Sequence, residues 1–158
     1  MSEQYLTIMQ ESLKKKIDTL DEIIRISKNQ AEILAVEPID YEAFDRCVDD
    51  KDVCLEQLEL LDNGFEGLYQ RVGRELKDNS GKYAAWIRET QRLITLVTER
   101  SVEIQAMEAR NKQAIEESLA KNRRGYQRGK RSMDVARNYY KSMNLTNVVP
   151  PQSMDQKK

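Results

Sequence analysis

The chain has 158 residues, with 26 Lys plus Arg against 27 Asp plus Glu, no His, and 39% hydrophobic against 34% charged side chains. That length fits a single domain at most, and a charged fraction above the roughly 25% of ordinary domains disfavours a compact sheet-based enzyme and favours long solvated helices. Without imidazole there is no His-ligated zinc and no His-based catalytic triad, and Cys47 and Cys54, about 10.5 Å apart if helical, are beyond disulfide reach and read as small buried hydrophobes.

The first twenty residues set acids and amides before Lys14-Lys15-Lys16 and contain no unbroken apolar core, so they do not read as a secretory signal. No apolar run approaches the length of a membrane span. The expectation is a cytoplasmic chain with no membrane insertion. From Leu6 the apolar positions step by three and four through Met9, Leu13, Ile17, Leu20 and Ile24, then Ala31 and Leu34 after a polar step at Ser27. This heptad-like stripe predicts a helix over about 2–35, packed along a coiled-coil-like seam. Pro38 then removes a backbone donor, and Asp40 has the short acceptor side chain of an N-cap.

A second stripe, Phe44, Val48, Leu55, Leu58, Leu61, Phe65, Leu68, Val72 and Leu76, is interrupted at Lys51 and predicts a helix over about 41–77. Gly64, Gly67 and Gly73 lie inside it, each costing about 1 kcal/mol relative to Ala. They suggest a kink or a close helix approach, and Asn63-Gly64 is itself a turn dipeptide that leaves a full break open. After the turn signal Asp78-Asn79-Ser80-Gly81, the third stripe runs through Ile87, Ile94, Val97, Ile104, Met107, Ile115 and Leu119, with Thr90, Ser101 and Asn111 at polar steps. No proline interrupts it before Pro150, so the third helix is expected over about 81–143, roughly 90 Å against about 50–55 Å for the other two, and should overhang them.

Charge changes where that overhang should begin. Residues 121–141 hold eight Lys or Arg and one acid, Asp134, whereas residues 1–120 hold 25 acids and 16 bases. Large aliphatics vanish between Leu119 and Met133, so this stretch cannot bury much of itself, and a lone helix without a packed face is marginal in water. Residues 121–149 are therefore expected to be labile alone and to order on a partner. The fold class is all-α: an elongated antiparallel three-helix bundle in one domain over 1–145, followed by an extended flexible tail over 146–158 with Val148-Val149 before a proline pair.

Few sites carry chemistry. Asp49, Asp50 and Asp52 lack the spacing and loop glycine of a calcium loop and read as a solvated helix face. The glycines follow no phosphate-loop pattern, and no activated nucleophile is signalled. The expectation is a chain that is not an enzyme and uses no cofactor, metal or small-molecule substrate. In the basic segment, Tyr126, Tyr139 and Tyr140 are interleaved with arginines. Nucleic-acid binding would use such cations and rings, but the acidic remainder would repel a long polymer. A solvated helix end favoured by the macrodipole is a second reading. Protein docking is the third, since Tyr, Met and Arg are the residues interface cores enrich. It makes Tyr126, Met133, Val135, Tyr139, Tyr140, Val148 and Val149 the candidate partner contacts.

The opening YLTIMQESLKKKIDTLDEIIRISKNQAEIL, the run DDKDVCLEQLELLDNGFEGLYQRV, the segment VTERSVEIQAMEARNK and the ending ARNYYKSMNLTNVVPPQSMDQKK together resemble the FlgN and FliT-like flagellar export chaperones over nearly the whole chain. The resemblance implies a small cytosolic helical protein that binds the C-terminal helices of hook-filament junction subunits, or of a filament cap subunit, and keeps them unpolymerised. It also implies delivery to the flagellar type III export gate, where a C-terminal Tyr of the chaperone contributes to docking; the matching positions are Tyr139 and Tyr140, with Tyr126 beside them. The rival from another class is a structural coiled coil whose stripes close a homodimer and whose basic segment touches nucleic acid or anionic lipid.

Overall fold

The computed structural model describes residues 2–79 and 81–121, which form three helices, α1 (Ser2–Leu34), α2 (Tyr41–Asn79) and α3 (Ala84–Lys121). Glu3 in the first turn of α1 complements the positive end of its dipole. The helix tightens at its far end, where the Ala35 amide donates to both Ala31 and Glu32 carbonyls. Asp40 then caps α2 as its short carboxylate allows, with the Ala43 amide donating to Oδ1 at 3.0 Å.

Among the described residues, α2 runs unbroken through Asn63-Gly64. That continuity sets aside the full break, and the close helix approach is set aside at Gly64 and Gly67 because a Cβ added at either would meet nothing within 4 Å. Phe65 and Leu58 are buried on either side of Asn63-Gly64 and hold the helix through it, so tertiary packing overrides local turn preference. At the other end the Asn79 amide group donates to the Glu75 carbonyl, and a turn over Gly81–Tyr83 delays α3 to Ala84. Tyr83 is buried in that turn and covers the end of the core.

Side-chain pairings fix the directions. Gln10 donates to Thr90 Oγ1 at 3.0 Å, Arg100 pairs with Asp21 at 2.8 Å, and Asn111 donates to the Ser27 carbonyl at 3.0 Å, so α1 and α3 run parallel. Lys16 pairs with Asp62 at 2.9 Å and Asn29 meets Cys47 at 3.6 Å, so α2 runs against α1. Helix α1 packs along both neighbours, whereas α2 and α3 meet mainly through side chains such as Tyr41 with Ser118 and Lys51 with Glu108.

That central position corrects the single stripe expected of α1. Ile23, Ile26 and Gln30 are buried beside Leu6, Met9, Leu13, Leu20 and Ile24, because a helix with two partners needs two adjoining seams. Ala31, expected on the stripe, is instead exposed at the edge of a groove. Leu61 and Leu68 are half-buried, while Phe44, Val48, Leu55, Leu58, Phe65, Val72 and Leu76 form the inner face of α2. Cys47 and Cys54 are free and buried within that face, and burial pushes both thiols up.

Candidate functional site

Polar residues interrupt the stripes of all three helices at one height. Ser27 on α1 is fully buried and its hydroxyl donates to Glu108 Oε1 on α3 at 2.6 Å. Lys51 on α2 forms an ion pair with the same oxygen, and the two charged side chains are only 3% and 5% exposed. Burial pushes the Lys51 ammonium down from its ordinary 10.5, opposed by the charge of Glu108 and the hydrogen bond to it. Asn111, one turn beyond Met107 and Glu108, reaches back to the Ser27 carbonyl. Such a layer adds little net stability because desolvation offsets the Coulomb attraction, but it favours the one register in which donors meet acceptors.

Above this layer a groove of about 600 Å³ opens between the last turns of α1 and the second half of α3. Its small side chains are Ala31 and Ala35 on one wall and Ala114 on the other, with Met107 and Asn111 at its base. Lys28 and Glu32 from α1, and Glu103 and Arg110 from α3, stand on its rim. Small walls let another backbone approach, and a rim of both signs suits an amphipathic peptide more than a phosphate or a nucleic acid. Ala114 stands two helical turns before Lys121, about 10.5 Å along the axis.

A smaller hollow of about 320 Å³ on the α1–α2 side is lined by Asn29, Ile33, Ala43, Arg46, Cys47, Asp49 and Asp50. Asp49 and Asp50 are exposed there and Asp52 is half-buried; burial, then the neighbouring Asp49 and Glu56, push the Asp52 carboxyl up. Among the described residues, no group of three or more His, Cys, Asp or Glu side chains is placed to hold a metal ion.

The sequence candidates Tyr126, Met133, Val135, Tyr139, Tyr140, Val148 and Val149 lie outside the described residues, as does any continuation of the third helix past Lys121. Sequence reasoning missed the alanine-walled groove and the partnership of Glu108 with Lys51. A signal existed for the second: Lys51, Ser27 and Asn111 each break an apolar stripe, and three such breaks needed one common partner.

A helical rod with its aliphatic seams closed and an open groove of small and mixed-charge residues defines a binding scaffold. A family model described as FlgN protein matches residues 1–143, and the chain belongs to the FlgN family, whose members are flagellar export chaperones that bind flagellar subunits. Comparison with curated proteins and with solved structures gives no match. Among the described residues, no helix is long and apolar enough to cross a membrane.

Proposed function

We propose that this chain is a cytoplasmic chaperone of the flagellar type III export apparatus. It holds a hook-filament junction subunit, or a filament cap subunit, by its C-terminal helices, prevents premature polymerisation and delivers it to the export gate. The family match over residues 1–143 carries this reading, because it spans the rod and the whole basic segment over 121–141. Two further features support it. The α1–α3 groove has the small walls and mixed rim that receive an amphipathic helix, and the segment after Lys121 combines cations, Tyr and Met without an aliphatic stripe. On this reading Tyr126, Met133, Val135, Tyr139, Tyr140, Val148 and Val149 extend the client surface beyond the groove, and Tyr139 or Tyr140 engages the gate.

The test is capture of partners from a flagellated cell extract, followed by titration of the purified junction and cap subunits. A junction or cap subunit recovered with the full chain, and lost when the chain is truncated after Leu119, is the expected outcome. A truncated protein that binds as well as the whole would overturn the assignment of the C-terminal residues. Steeply salt-dependent DNA binding without any subunit partner would instead favour the structural coiled coil with a basic arm.

A further inference from the structure

The side-chain contacts Gln10 to Thr90, Asp21 to Arg100 and Ser27 to Glu108 join residues 80, 79 and 81 apart, so each residue of α1 stands level with the one about 80 further on in α3. Taking 80 from 103 and from 110 puts Glu103 level with Ile23, and Arg110 level with Gln30. The charges on the rim of the α1–α3 groove therefore follow the order Glu103, Lys28, Arg110, Glu32 along the axis, negative at both ends and positive in the middle. The helical rise sets Lys28 and Arg110 only about 3 Å apart in height on opposite walls, and spreads all four charges over about 13 Å. All four are exposed. Among the described residues none of them makes an ion pair, whereas Arg25, Arg92 and Arg100 each hold a carboxylate of their own chain. The alanine-walled part of the groove, at Ala31, Ala35 and Ala114, is centred about one turn above the two cations.

We propose that this groove selects helices that carry an acidic side chain one turn from a large aliphatic one. The carboxylate bridges Lys28 and Arg110, and the aliphatic side chain fills the hollow that the three alanines leave open. On the occupant those two positions are three or four residues apart, the spacing that places side chains on one face of a helix. Charge complementarity identifies the occupant. Two like charges across a groove repel until an anion lies between them, and exposed heads with apolar ground one turn away hold that anion best when the same helix also buries an aliphatic group. A polyanion is excluded by the same order of charges, because Glu103 and Glu32 close the cationic stretch at both ends and leave room for a single carboxylate. Bases flanking the acid on the occupant would meet those two end carboxylates. The export reading enters only as the source of the helix, a flagellar subunit; the selectivity belongs to the groove itself.

Fluorescence anisotropy of the full chain with labelled alanine-based peptides of about 20 residues, long enough to be partly helical, tests it. One pair of peptides carries a single Glu four residues before or after a single Leu; matched controls replace the Glu by Lys or the Leu by Ala. One of the Glu–Leu peptides should bind about tenfold more tightly than its Lys control, and high salt should narrow that gap. Lys28→Glu with Arg110→Glu, both at exposed positions, should reverse the preference so that the Lys peptide binds better, while Ala31→Leu should weaken both peptides by filling the hollow, with helicity unchanged in every variant. Peptides that fail to bind, or that bind alike whatever their charge, overturn the proposal. The same double variant is then titrated with the flagellar subunit captured by the full chain. A subunit bound as tightly by the double variant as by the wild type also overturns it, and leaves the export reading standing. Peptide selectivity as expected with no subunit captured upholds the groove's preference and sinks the export reading alone.

Discussion

Near the start of the rod α1 and α3 enclose Met9, Leu13, Leu93 and Ile94, each at most 2% exposed, while roughly four to five turns further on the same two helices meet through Ser27, Glu108 and Asn111, with Lys51 added from α2. The two regions are equally buried but do different work. Aliphatic contacts are non-directional and scale with area, so they supply most of the stability yet would tolerate a slip by a turn. The polar layer contributes little net stability but loses its pairing if any helix slides, which is how buried polar residues set register in coiled coils. The rod thus separates the residues that hold it together from those that decide which height faces which.

Breaking the polar layer on one side should produce the largest effect. Lys51→Met leaves the carboxylate of Glu108 buried without its cation and should destabilise the protein by about 3–5 kcal/mol, read as a lowered urea midpoint. Leu13, only 1% exposed, tests the aliphatic region: Leu13→Ala should cost about 2–5 kcal/mol through lost transfer energy and a residual cavity. Trp86 is the only tryptophan and its indole N–H donates to the Leu6 carbonyl at 3.1 Å, so its fluorescence reports that region directly. If Leu13→Ala moved neither the midpoint nor the Trp86 signal, the division of labour would be wrong.

The Lys51 titration sharpens the contrast further. Its folded pKa lies below its unfolded value because burial disfavours the cation, so between the two values the unfolded chain binds more protons and stability rises with pH. The contribution is absent below the folded pKa and complete above the unfolded 10.5. The deficit of Lys51→Met relative to wild type should therefore widen as pH climbs toward that value, since only the wild type gains. Parallel unfolding curves at successive alkaline pH values check it, and a constant deficit would contradict the burial assigned to Lys51.

Much of this architecture was legible before any coordinates. The three-helix order follows from the spacing of the stripes, and the Asp40 cap follows from a short acceptor placed after Pro38. Polar steps at Thr90, Ser101 and Asn111 sit on the buried face where the period put them. What a single chain pattern could not supply was the relation between helices. Ile23, Ile26 and Gln30 look surplus until α1 is known to have two neighbours, and Glu108 looks like a surface acid until α2 brings Lys51 to it. Ala31 fits the stripe by period, yet it lies where the α1–α3 groove opens. Asn63-Gly64 failed as a break because its turn preference is worth less than the burial of Phe65 and Leu58.

The smallest expected change in stability belongs to the most informative variant. Replacing both charges, Lys51→Met with Glu108→Leu, removes the unpaired-charge penalty of the single variant and substitutes apolar volume in a buried site, so stability should return to within about 1–2 kcal/mol of wild type or exceed it. If the layer specifies register, recovery of stability should come without recovery of a single arrangement. Spin labels at the exposed Lys28 and Arg110, which face each other across the groove, would report one narrow distance in the wild type and a broadened or second distance in the double variant. A double variant that is stable and keeps the narrow distance would show that the aliphatic seam alone chooses the register, and the layer would then have no structural role beyond neutralising itself.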